Sequence, residues 1–555
     1  MGVDQTEPGM PADPVGRRVS CDGERATVRY VGPVPPTAGL WLGVEWDNSE
    51  RGKHDGSHEG VHYFTCRNPK GGSFVRPAKV SFGVDFLTAL QQVYQIRALQ
   101  QVYIRSRSSS GPQGLRRSPH FVSSHRAICL AAAAHTIGLK TPYFSLAAAQ
   151  VSVLAADFES RTSVLFDFCE VNGPGAEGEI RKTTPRVAWL GLSGTLLSCW
   201  EDMAAIAQQL DQLDSLQLSD NRLRLPSDPS AHCQAFCNLK VLALNRCDLT
   251  WPQILECAPM WPQLEDLCVE DNNITELQRP VGVLQSLKSL NVSCNPVEQR
   301  SVLSLAALPR LEQLKLMKIG LSDIRFDDAA PGSQTALFPA LKNLNLDDNN
   351  ISEWRVVDEL AKLPCLVQFS CSGNRLVSSD GNPKTVTQIL IAKLGQLVLL
   401  NRNILRPEDR RGAELDYIKM FGEEWLKAGG ASQLSTQFAS QHPRYQSLID
   451  KYGAPEEGEL KKQEPFALKN QLLKIYFVFP DDAGRKPIEK KLPASMVVQK
   501  VKGLLYRLLK VPAADLKLTY TCNKKVGTEF EIDSDLKTLQ FYSIEDGDQV
   551  LVRWS

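Results

Sequence analysis

A leucine-based pattern recurs along the centre of this chain and constrains its fold more than any other feature. From residue 187 the pattern L-x-x-L-x-L-x-x-N-x-L returns every 23 to 30 residues. The copies begin at Val187, Leu213, Leu239, Leu264, Leu287, Leu311, Leu341 and Leu366, and the first and last are the weakest. One copy cannot bury its apolar face alone, so the copies are expected to stack into one continuous core.

An asparagine slot accompanies the leucines. It holds Asn221, Asn272, Asn295, Asn349 and Asn374. An amide side chain at this position can satisfy backbone groups that a turn leaves unpaired. Cys247 and Ile319 take the slot in two other copies, so the Ile319 turn must be satisfied differently. The pattern resembles the leucine-rich-repeat family, which implies an α/β solenoid over residues 187–396, a cap over 397–430 and a linker over 431–469.

The outward strand positions of these repeats form the candidate binding face of the solenoid. They are small, neutral and rich in amides, without the Arg and Lys stripe that phosphate contacts require. This composition indicates a wet protein-binding surface on the concave side. The candidate contact residues are Asn245, Asp266, Glu270, Asn291, Asn343, Asn345 and Asp347.

Residues 10–85 predict a small all-β module. "RATVRYVG", "LWLGVEWD" and "GSFVRP" alternate as strands do, and many glycines separate them. The stretch "GLWLGVEWDNSERGKHDGSHEGVHYFTC" resembles a CAP-Gly domain, whose hallmark is G-K-N-D-G. The resemblance implies a small barrel that recognises acidic peptide C-termini ending in an aromatic residue, as on α-tubulin.

The implied peptide-tail site consists of Trp41, Gly52, Lys53, His54, Asp55, Gly56, Phe74 and Arg76. Lys53 and the backbone N–H groups beside the glycines suit a terminal carboxylate. Trp41 and Phe74 suit a terminal aromatic ring, and Arg76 suits glutamates upstream of it. Trp41 and Phe74 could equally be barrel core, and Gly52 and Gly56 also serve turn geometry. His54 stands where the family usually has Asn, which predicts weaker or more pH-sensitive binding.

The C-terminal part of the chain, residues 470–555, follows a third pattern. "LLKIYFVF" alternates like a strand, with Leu473, Ile475, Phe477 and Phe479 on one face. "MVVQKVKGLLYRLLK" places Val498, Val501, Leu505 and Leu508 on one face of a helix. With the strands "LKLTY" and "QVLVRW", this order resembles a ubiquitin-like domain, an α+β β-grasp fold.

Residues 86–186 fit neither neighbour. They include a Ser/Arg-rich stretch and an alanine-rich stretch, and the repeat pattern is absent. Two interpretations stay open, an irregular linker and degenerate early repeats.

Charge and cysteine usage exclude several function classes. The chain has 63 basic and 63 acidic residues, and no apolar run is long enough to span a bilayer. We therefore expect no nucleic-acid partner and no membrane. Fourteen scattered cysteines without CxxC pairs indicate reduced thiols rather than a metal site or a disulfide framework. Without a P-loop or a recognisable catalytic triad, we expect no enzyme, no metal and no cofactor.

The domain order resembles that of the tubulin-folding cofactors. The resemblance implies a cytoplasmic, cytoskeleton-associated chaperone that holds the α-tubulin tail in the CAP-Gly module and the tubulin body on the repeats. It would act in αβ-tubulin assembly and disassembly with β-tubulin and other cofactors, and the ubiquitin-like domain could bring proteasome-related partners. A microtubule-associated adaptor and a ubiquitin-pathway scaffold are the alternatives.

Overall fold

The structure, a computed structural model, describes residues 10–94, 158, 160–430, 435–455, 472–482, 484–521 and 529–554. The chain divides into two compact units, Met1–Ala454 and Pro455–Ser555. The Ser/Arg-rich and alanine-rich stretches and much of the linker predicted at 431–469 lie outside the described residues. In the described part of the chain, no helix is both long and apolar enough to cross a bilayer.

The N-terminal module is an antiparallel four-stranded sheet in the order β1-β2-β3-β6. Because side chains alternate along β3, those of Leu42, Val44 and Trp46 point toward a buried core that also contains Val19 and Val28. The strands of the module and of its loops are β1 (Arg18–Cys21), β2 (Glu24–Val34), β3 (Thr37–Trp46), β4 (Ser57–His58), β5 (Val61–His62), β6 (Gly72–Val75) and β7 (Val84–Asp85). Two 3₁₀ turns, Ser49–Arg51 and Pro77–Lys79, flank the last strands of the barrel.

The solenoid has an eleven-stranded sheet in the order β19-β18-β17-β16-β15-β14-β13-β12-β11-β10-β8. Neighbouring strands are parallel and in register, except for the antiparallel pair β18 and β19. The strands are β8 (Ser163–Leu165), β10 (Trp189–Gly191), β11 (Ser215–Gln217), β12 (Val241–Ala243), β13 (Asp266–Cys268), β14 (Ser289–Asn291), β15 (Gln313–Lys315), β16 (Asn343–Asn345), β17 (Gln368–Ser370), β18 (Leu399–Leu400) and β19 (Asn403–Ile404). Each three-residue strand from β11 to β17 buries its central leucine or phenylalanine, as the repeat pattern predicts.

The repeat sheet begins before the predicted boundary at residue 187. Strand β8 pairs in parallel with β10, and its Val164 is fully buried in the solenoid core. Phe86 and Leu90, in the helical residues 86–94, belong to the same core. The described parts of 86–186 therefore include an early repeat and a helix that closes the N-terminal end. The sequence pattern does not show it because Val164 and Phe166 replace the leucines.

The asparagine slot works as the sequence predicts. Asn349 Nδ2 donates to the carbonyls of Leu316 and Leu346 at 2.8 and 3.0 Å. Its Oδ1 accepts from the backbone N–H groups of Ile319 and Leu321 at 3.1 and 3.0 Å. The turn with Ile319 in the slot therefore has its backbone donors satisfied by the asparagine of the next repeat.

Helices and 3₁₀ turns run along the other side of the repeats and over the C-terminal end. The helices are α1 (Glu179–Thr183), α2 (Trp200–Ala207), α3 (Trp251–Cys257), α4 (Trp354–Leu360), α5 (Pro383–Lys393), α6 (Pro407–Met420), α7 (Gly422–Lys427), α8 (Thr436–Gln441) and α9 (Tyr445–Tyr452). The 3₁₀ turns on this side are Pro229–Phe236, Ala258–Met260 and Gln299–Ala307.

The cap of the solenoid extends into the predicted linker. Phe438 of α8 and Tyr445 and Leu448 of α9 pack with Tyr417 and Trp425 in one buried cluster. This apolar cluster packs α8 and α9 against the rest of the cap, although the sequence around them is mostly polar. The helical cap thus reaches Tyr452, beyond the predicted limit at residue 430.

The second unit is a five-stranded sheet in the order β21-β20-β24-β22-β23 with one α-helix. Its elements are β20 (Leu472–Val478), β21 (Ile488–Pro493), α10 (Val498–Leu509), β22 (Leu516–Thr521), β23 (Phe530–Glu531) and β24 (Gln549–Trp554), with a 3₁₀ turn at Ala513–Asp515. The central strands β20 and β24 are parallel, as in a β-grasp fold. The ubiquitin-like prediction is confirmed.

One helix position in this unit departs from the sequence pattern. Val498, Val501 and Leu505 of α10 are buried in the core, whereas Leu508, predicted on the same face, is 41% exposed. The helix ends at Leu509, and Lys510 follows in the left-handed conformation. Leu509 packs partly against the core in place of Leu508.

Candidate functional site

The two faces of β3 separate the barrel core from the candidate site. Leu42, Val44 and Trp46 point to the core, so Trp41 and Gly43 point to the opposite face. Trp41 and Phe74 lie outside the buried core cluster and are both half-buried. Both rings therefore lie on the face of the sheet opposite the core cluster, and their contact with a ligand remains a prediction.

Phe74 is the centre of an aromatic cluster. The rings of His54, Tyr63, Phe64, His58 and Tyr30 lie 4.9, 5.3, 5.6, 6.1 and 6.2 Å from its centroid. Most of these contacts are edge-to-face, the arrangement that aromatic quadrupoles favour. The cluster forms an apolar wall beside the loop that carries Lys53.

Gly43 makes room for this wall. It pairs with Phe74 across β3 and β6. A Cβ atom at Gly43 would lie 2.4 Å from the Phe64 ring and 2.9 Å from Tyr30 Cβ. Tyr30, Gly43, Tyr63 and Phe64 were not in the predicted site. Strand alternation is the sequence signal that could have found Gly43, which lies two residues from Trp41 on β3.

The loop over residues 49–56 requires glycine at two predicted positions. A Cβ at Gly52 would lie 1.8 Å from the Lys70 carbonyl oxygen. Gly56 has φ +102°, and a Cβ there would lie 1.7 Å from the Phe64 carbonyl oxygen. Both glycines therefore permit close backbone approach, which holds the loop against β6 and the aromatic cluster.

Lys53 is attached to the barrel by its backbone and free at its side chain. Its N–H donates to the Gly72 carbonyl at 2.7 Å. Its side chain is exposed, and no hydrogen bond or ion pair to it occurs among the described residues. Asp55 is exposed as well, and its Oδ1 accepts from the Ser57 N–H at 2.9 Å. This backbone bond holds the pKa of the Asp55 carboxyl below its ordinary value.

His54 lies between these two residues, and its backbone pairs with Gly72. Its Nδ1 accepts from the Gly56 N–H at 3.1 Å. Burial lowers the pKa of His54 below its ordinary value of 6.5, and the neighbouring His58 lowers it further. The ring therefore favours the neutral form.

Arg76 is already engaged within the barrel. Its guanidinium stacks 3.8 Å from the Trp41 ring centroid. The same group donates to the carbonyls of Leu40 and Ala38 at 3.1 and 2.8 Å. Its first role is to fix Trp41, and contact with the glutamates of a ligand remains a prediction.

The seven candidate residues of the concave face lie on or beside β12 to β16, and most of their side chains form hydrogen bonds within the solenoid. Asn245 Oδ1 accepts from the Glu270 N–H at 2.8 Å, and Asn291 Nδ2 donates to Glu270 Oε2 at 3.2 Å. The same pattern of bonding between neighbouring repeats continues along the sheet, where Asn343 Nδ2 donates to Gln368 Oε1 at 3.2 Å.

Two further members of the set bond to backbone groups. Asn345 Oδ1 accepts from the Asp347 N–H at 2.9 Å. Asp347 is only 5% exposed, and its Oδ1 accepts from Ser370 Oγ and the Ser372 N–H at 2.7 Å each. Asp266 alone of the seven has no side-chain hydrogen bond or ion pair in the described ranges.

The barrel and the solenoid make direct contacts within the first unit. Strand β7 pairs in parallel with β9 (Val171–Gly173). Asn172 Nδ2 donates to the Phe82 carbonyl at 2.8 Å, and Ser81 Oγ donates to Glu170 Oε2 at 2.6 Å. Arg67, which follows the aromatic loop, forms an ion pair with Asp248 of the repeats. The candidate tail site and the repeats are thus parts of one packed unit.

Comparisons with known proteins agree with this architecture. A CAP-Gly domain model matches residues 15–80, and a ubiquitin-like domain model matches residues 476–553. The solved ubiquitin-like domain of mouse tubulin-specific chaperone E is 54% identical, with a TM-score of 0.15, and covers 15% of this chain and 88% of its own.

The chain is thus a multidomain binding protein with CAP-Gly, leucine-rich-repeat and ubiquitin-like parts. Tubulin-specific chaperone E of Danio rerio is 56% identical to it over 98% of this chain and 99% of that protein. The Homo sapiens protein of that name is 46% identical over the same shares. The chain belongs to the tubulin-specific chaperone E family.

Proposed function

We propose that this chain is a tubulin-folding cofactor that binds α-tubulin at two places. The CAP-Gly module would hold the acidic C-terminal tail, and the repeats would hold the tubulin body. In this function the chain takes part in assembling and separating the αβ-tubulin heterodimer, by binding and without covalent chemistry of its own.

The observation that carries the proposal is the exposed ammonium of Lys53 beside the aromatic cluster of Phe74. A peptide terminus with an aromatic last residue presents a carboxylate and a ring side by side. An unpartnered lysine suits the carboxylate through a charge-assisted hydrogen bond, and the half-buried rings suit the terminal ring by edge or face contact.

The contacts between the barrel and the repeats support binding at both places together. Since the tail tethers the tubulin body, the second contact forms at an effective concentration of order millimolar for a short linker. Two weak sites on one packed unit can then act as one strong site. We further propose that the protein works in the cytoplasm at the cytoskeleton, and that the ubiquitin-like domain meets β-tubulin complexes, other cofactors or proteasome-related partners.

The test is a binding titration of purified α-tubulin, with and without its terminal tyrosine, against the full chain and Lys53→Ala. We expect Lys53→Ala to weaken binding about tenfold, the loss typical of one charge-assisted hydrogen bond. Lys79→Ala is the matched control, because Lys79 is another exposed lysine of the same module that lies outside the cluster. We expect it to bind as the wild type does.

Three outcomes would contradict parts of this proposal. Equal binding by wild type and Lys53→Ala, with and without the tyrosine, would remove the barrel from the mechanism. Binding to polymerised microtubules in preference to unpolymerised tubulin would favour the adaptor alternative. Capture that depends on the ubiquitin-like domain and ignores the tubulin tail would favour the ubiquitin-pathway scaffold.

A further inference from the structure

His54 stands where the G-K-N-D-G hallmark has asparagine, and the hydrogen bond that it accepts shows what the histidine can do at this position. A histidine nitrogen that accepts a backbone N–H carries no proton. The 3.1 Å bond from Gly56 N–H to His54 Nδ1 therefore places the proton of the neutral ring on Nε2. No hydrogen-bond partner of Nε2 occurs in the described part of the chain, so this N–H remains available as a donor.

The arrangement reproduces the two functions of an asparagine. An asparagine at this position could accept the N–H two residues ahead with its Oδ1, as in an Asx turn, and donate through its Nδ2. In this chain Nδ1 of His54 is the acceptor and Nε2–H is the donor. The difference is that a histidine loses the acceptor when it is protonated, and an asparagine does not.

We propose that His54 is a specificity-determining donor of the tail site that works only as the neutral Nε2–H tautomer, so that acid weakens capture of an acidic peptide. The inference rests on the proposed function of the site. The expected change of affinity with pH is opposite to the one that charge alone predicts. By charge alone, a protonated histidine next to Lys53 would strengthen binding to a carboxylate. Protonation would instead break the Gly56 bond and disturb the loop that positions Lys53.

The surroundings of the ring agree with a neutral histidine. The charged or titratable groups that act on it are His58 of β4 and, on its own loop, Asp55 and Lys53. The remaining neighbours are aromatic, with Phe74 of β6 at 4.9 Å and Phe64 at 6.1 Å between ring centroids. The effects of Lys53 and His58 oppose that of Asp55, and burial is the largest cause of the lowered pKa.

The sign of the pH effect follows from this. Because the folded form holds the pKa below 6.5, the neutral ring predominates at pH 7, and the active fraction falls as pH drops through the lowered pKa. Below that pKa the neutral fraction, and with it the affinity, falls about tenfold per pH unit. Protonation of the peptide carboxylates affects the wild type and His54→Asn alike, so the difference between their pH profiles reports the His54 ring.

The first experiment measures the affinity of the full chain for a synthetic peptide ending Glu-Glu-Tyr between pH 7.5 and 5. We expect the wild type to bind less tightly as pH falls, and His54→Asn to show a flat profile over the same range. His62→Asn is the matched control, since His62 bonds instead to Ser57 and Thr65 on the exposed side of the loop. It should keep the wild-type slope. Affinity that rises on acidification, or an unchanged slope in His54→Asn, would overturn the proposal.

The second experiment does not depend on the peptide. Nitrogen-proton correlation spectra of the full chain, labelled at histidine, report the protonation of each ring nitrogen, and the signal missing in His54→Asn assigns His54. We expect the proton on Nε2 at pH 7.5, and a proton on Nδ1 would refute the tautomer. If the tautomer is observed but no variant binds the peptide at any pH, the proposed function fails and the tautomer assignment stands.

Discussion

The tail site of the barrel and the concave face of the repeats are both polar surfaces, yet they use their polar groups in opposite ways. In the barrel, the Lys53 ammonium and Nε2 of His54 have no partner among the described residues. The Lys53 backbone N–H donates to the Gly72 carbonyl, and Nδ1 of His54 accepts from the Gly56 N–H. On the repeats, Asn245, Asn291 and Asn343 bond to the neighbouring repeats. The barrel presents polar groups without partners on a fixed loop. On the repeats, most amide side chains are used in hydrogen bonds that hold neighbouring repeats in register.

This difference bears on which residues can select a ligand. A group that is already satisfied must exchange one hydrogen bond for another, so it contributes little net free energy. A free ammonium beside an aromatic wall gains a partner without losing one. We therefore expect single substitutions to act on binding in the barrel and on stability in the repeats, and each of the following predictions tests that division.

The largest effect is expected in the asparagine slot. Asn349→Ala removes the partners of Leu316, Leu346, Ile319 and Leu321, which lie in the interior of two repeats. We expect a loss of about 3 to 5 kcal/mol in the free energy of unfolding, measured by urea denaturation. The control is Asn350→Ala, the exposed neighbour in sequence, which should stay within about 0.5 kcal/mol of the wild type.

Asp347→Ala should cause the second-largest loss of stability. If it changed binding instead, the proposed difference between the barrel and the repeats would be wrong. The buried carboxylate accepts from Ser370 and Ser372, so its removal should cost about 2 kcal/mol of unfolding free energy. Asp347→Asn keeps the Oδ1 acceptor and should recover most of this loss. Reduced α-tubulin binding with unchanged stability would instead make Asp347 a contact residue.

Gly43→Ala should lower stability moderately and binding at the same time. The added methyl group displaces Phe64 and Tyr30, which we expect to cost about 1 to 3 kcal/mol, the usual penalty of overpacking. Because the cluster of Phe74 shifts, the affinity for a peptide ending in an aromatic residue should fall as well. Intact peptide binding by Gly43→Ala would show that the aromatic wall is not part of the site.

The smallest effect is expected for Asn343→Ala on the concave face. Its bond to Gln368 is half-exposed, so the unfolding free energy should change by less than about 1 kcal/mol. A tubulin titration of this variant sharpens the comparison, because a several-fold loss of affinity at unchanged stability would place a ligand contact on the repeats.

Much of the fold could be predicted because its physical cause is local and periodic. The leucine spacing predicts the strands from β11 to β17, and the asparagine slot predicts the bonds of Asn349. The early repeat at β8 could not be predicted, because Val164 and Phe166 bury their side chains without the leucine pattern. The positions of α8 and α9 depend on packing against Tyr417 and Trp425, which the spacing of apolar residues does not encode.

The sequence by itself determined the three domain types, the position of the Lys53 loop and the need for glycine at residues 52 and 56, because each depends on a short motif. Only the tertiary structure decided which face Trp41 and Phe74 occupy, that Arg76 is stacked on Trp41, and that Asn245, Asn291 and Asn343 on the concave face bond to the neighbouring repeats. Partners about 25 residues apart in the chain meet only when the repeats stack in register. The same holds for His54, whose role follows from a hydrogen bond that forms when Gly56 turns its N–H toward the ring.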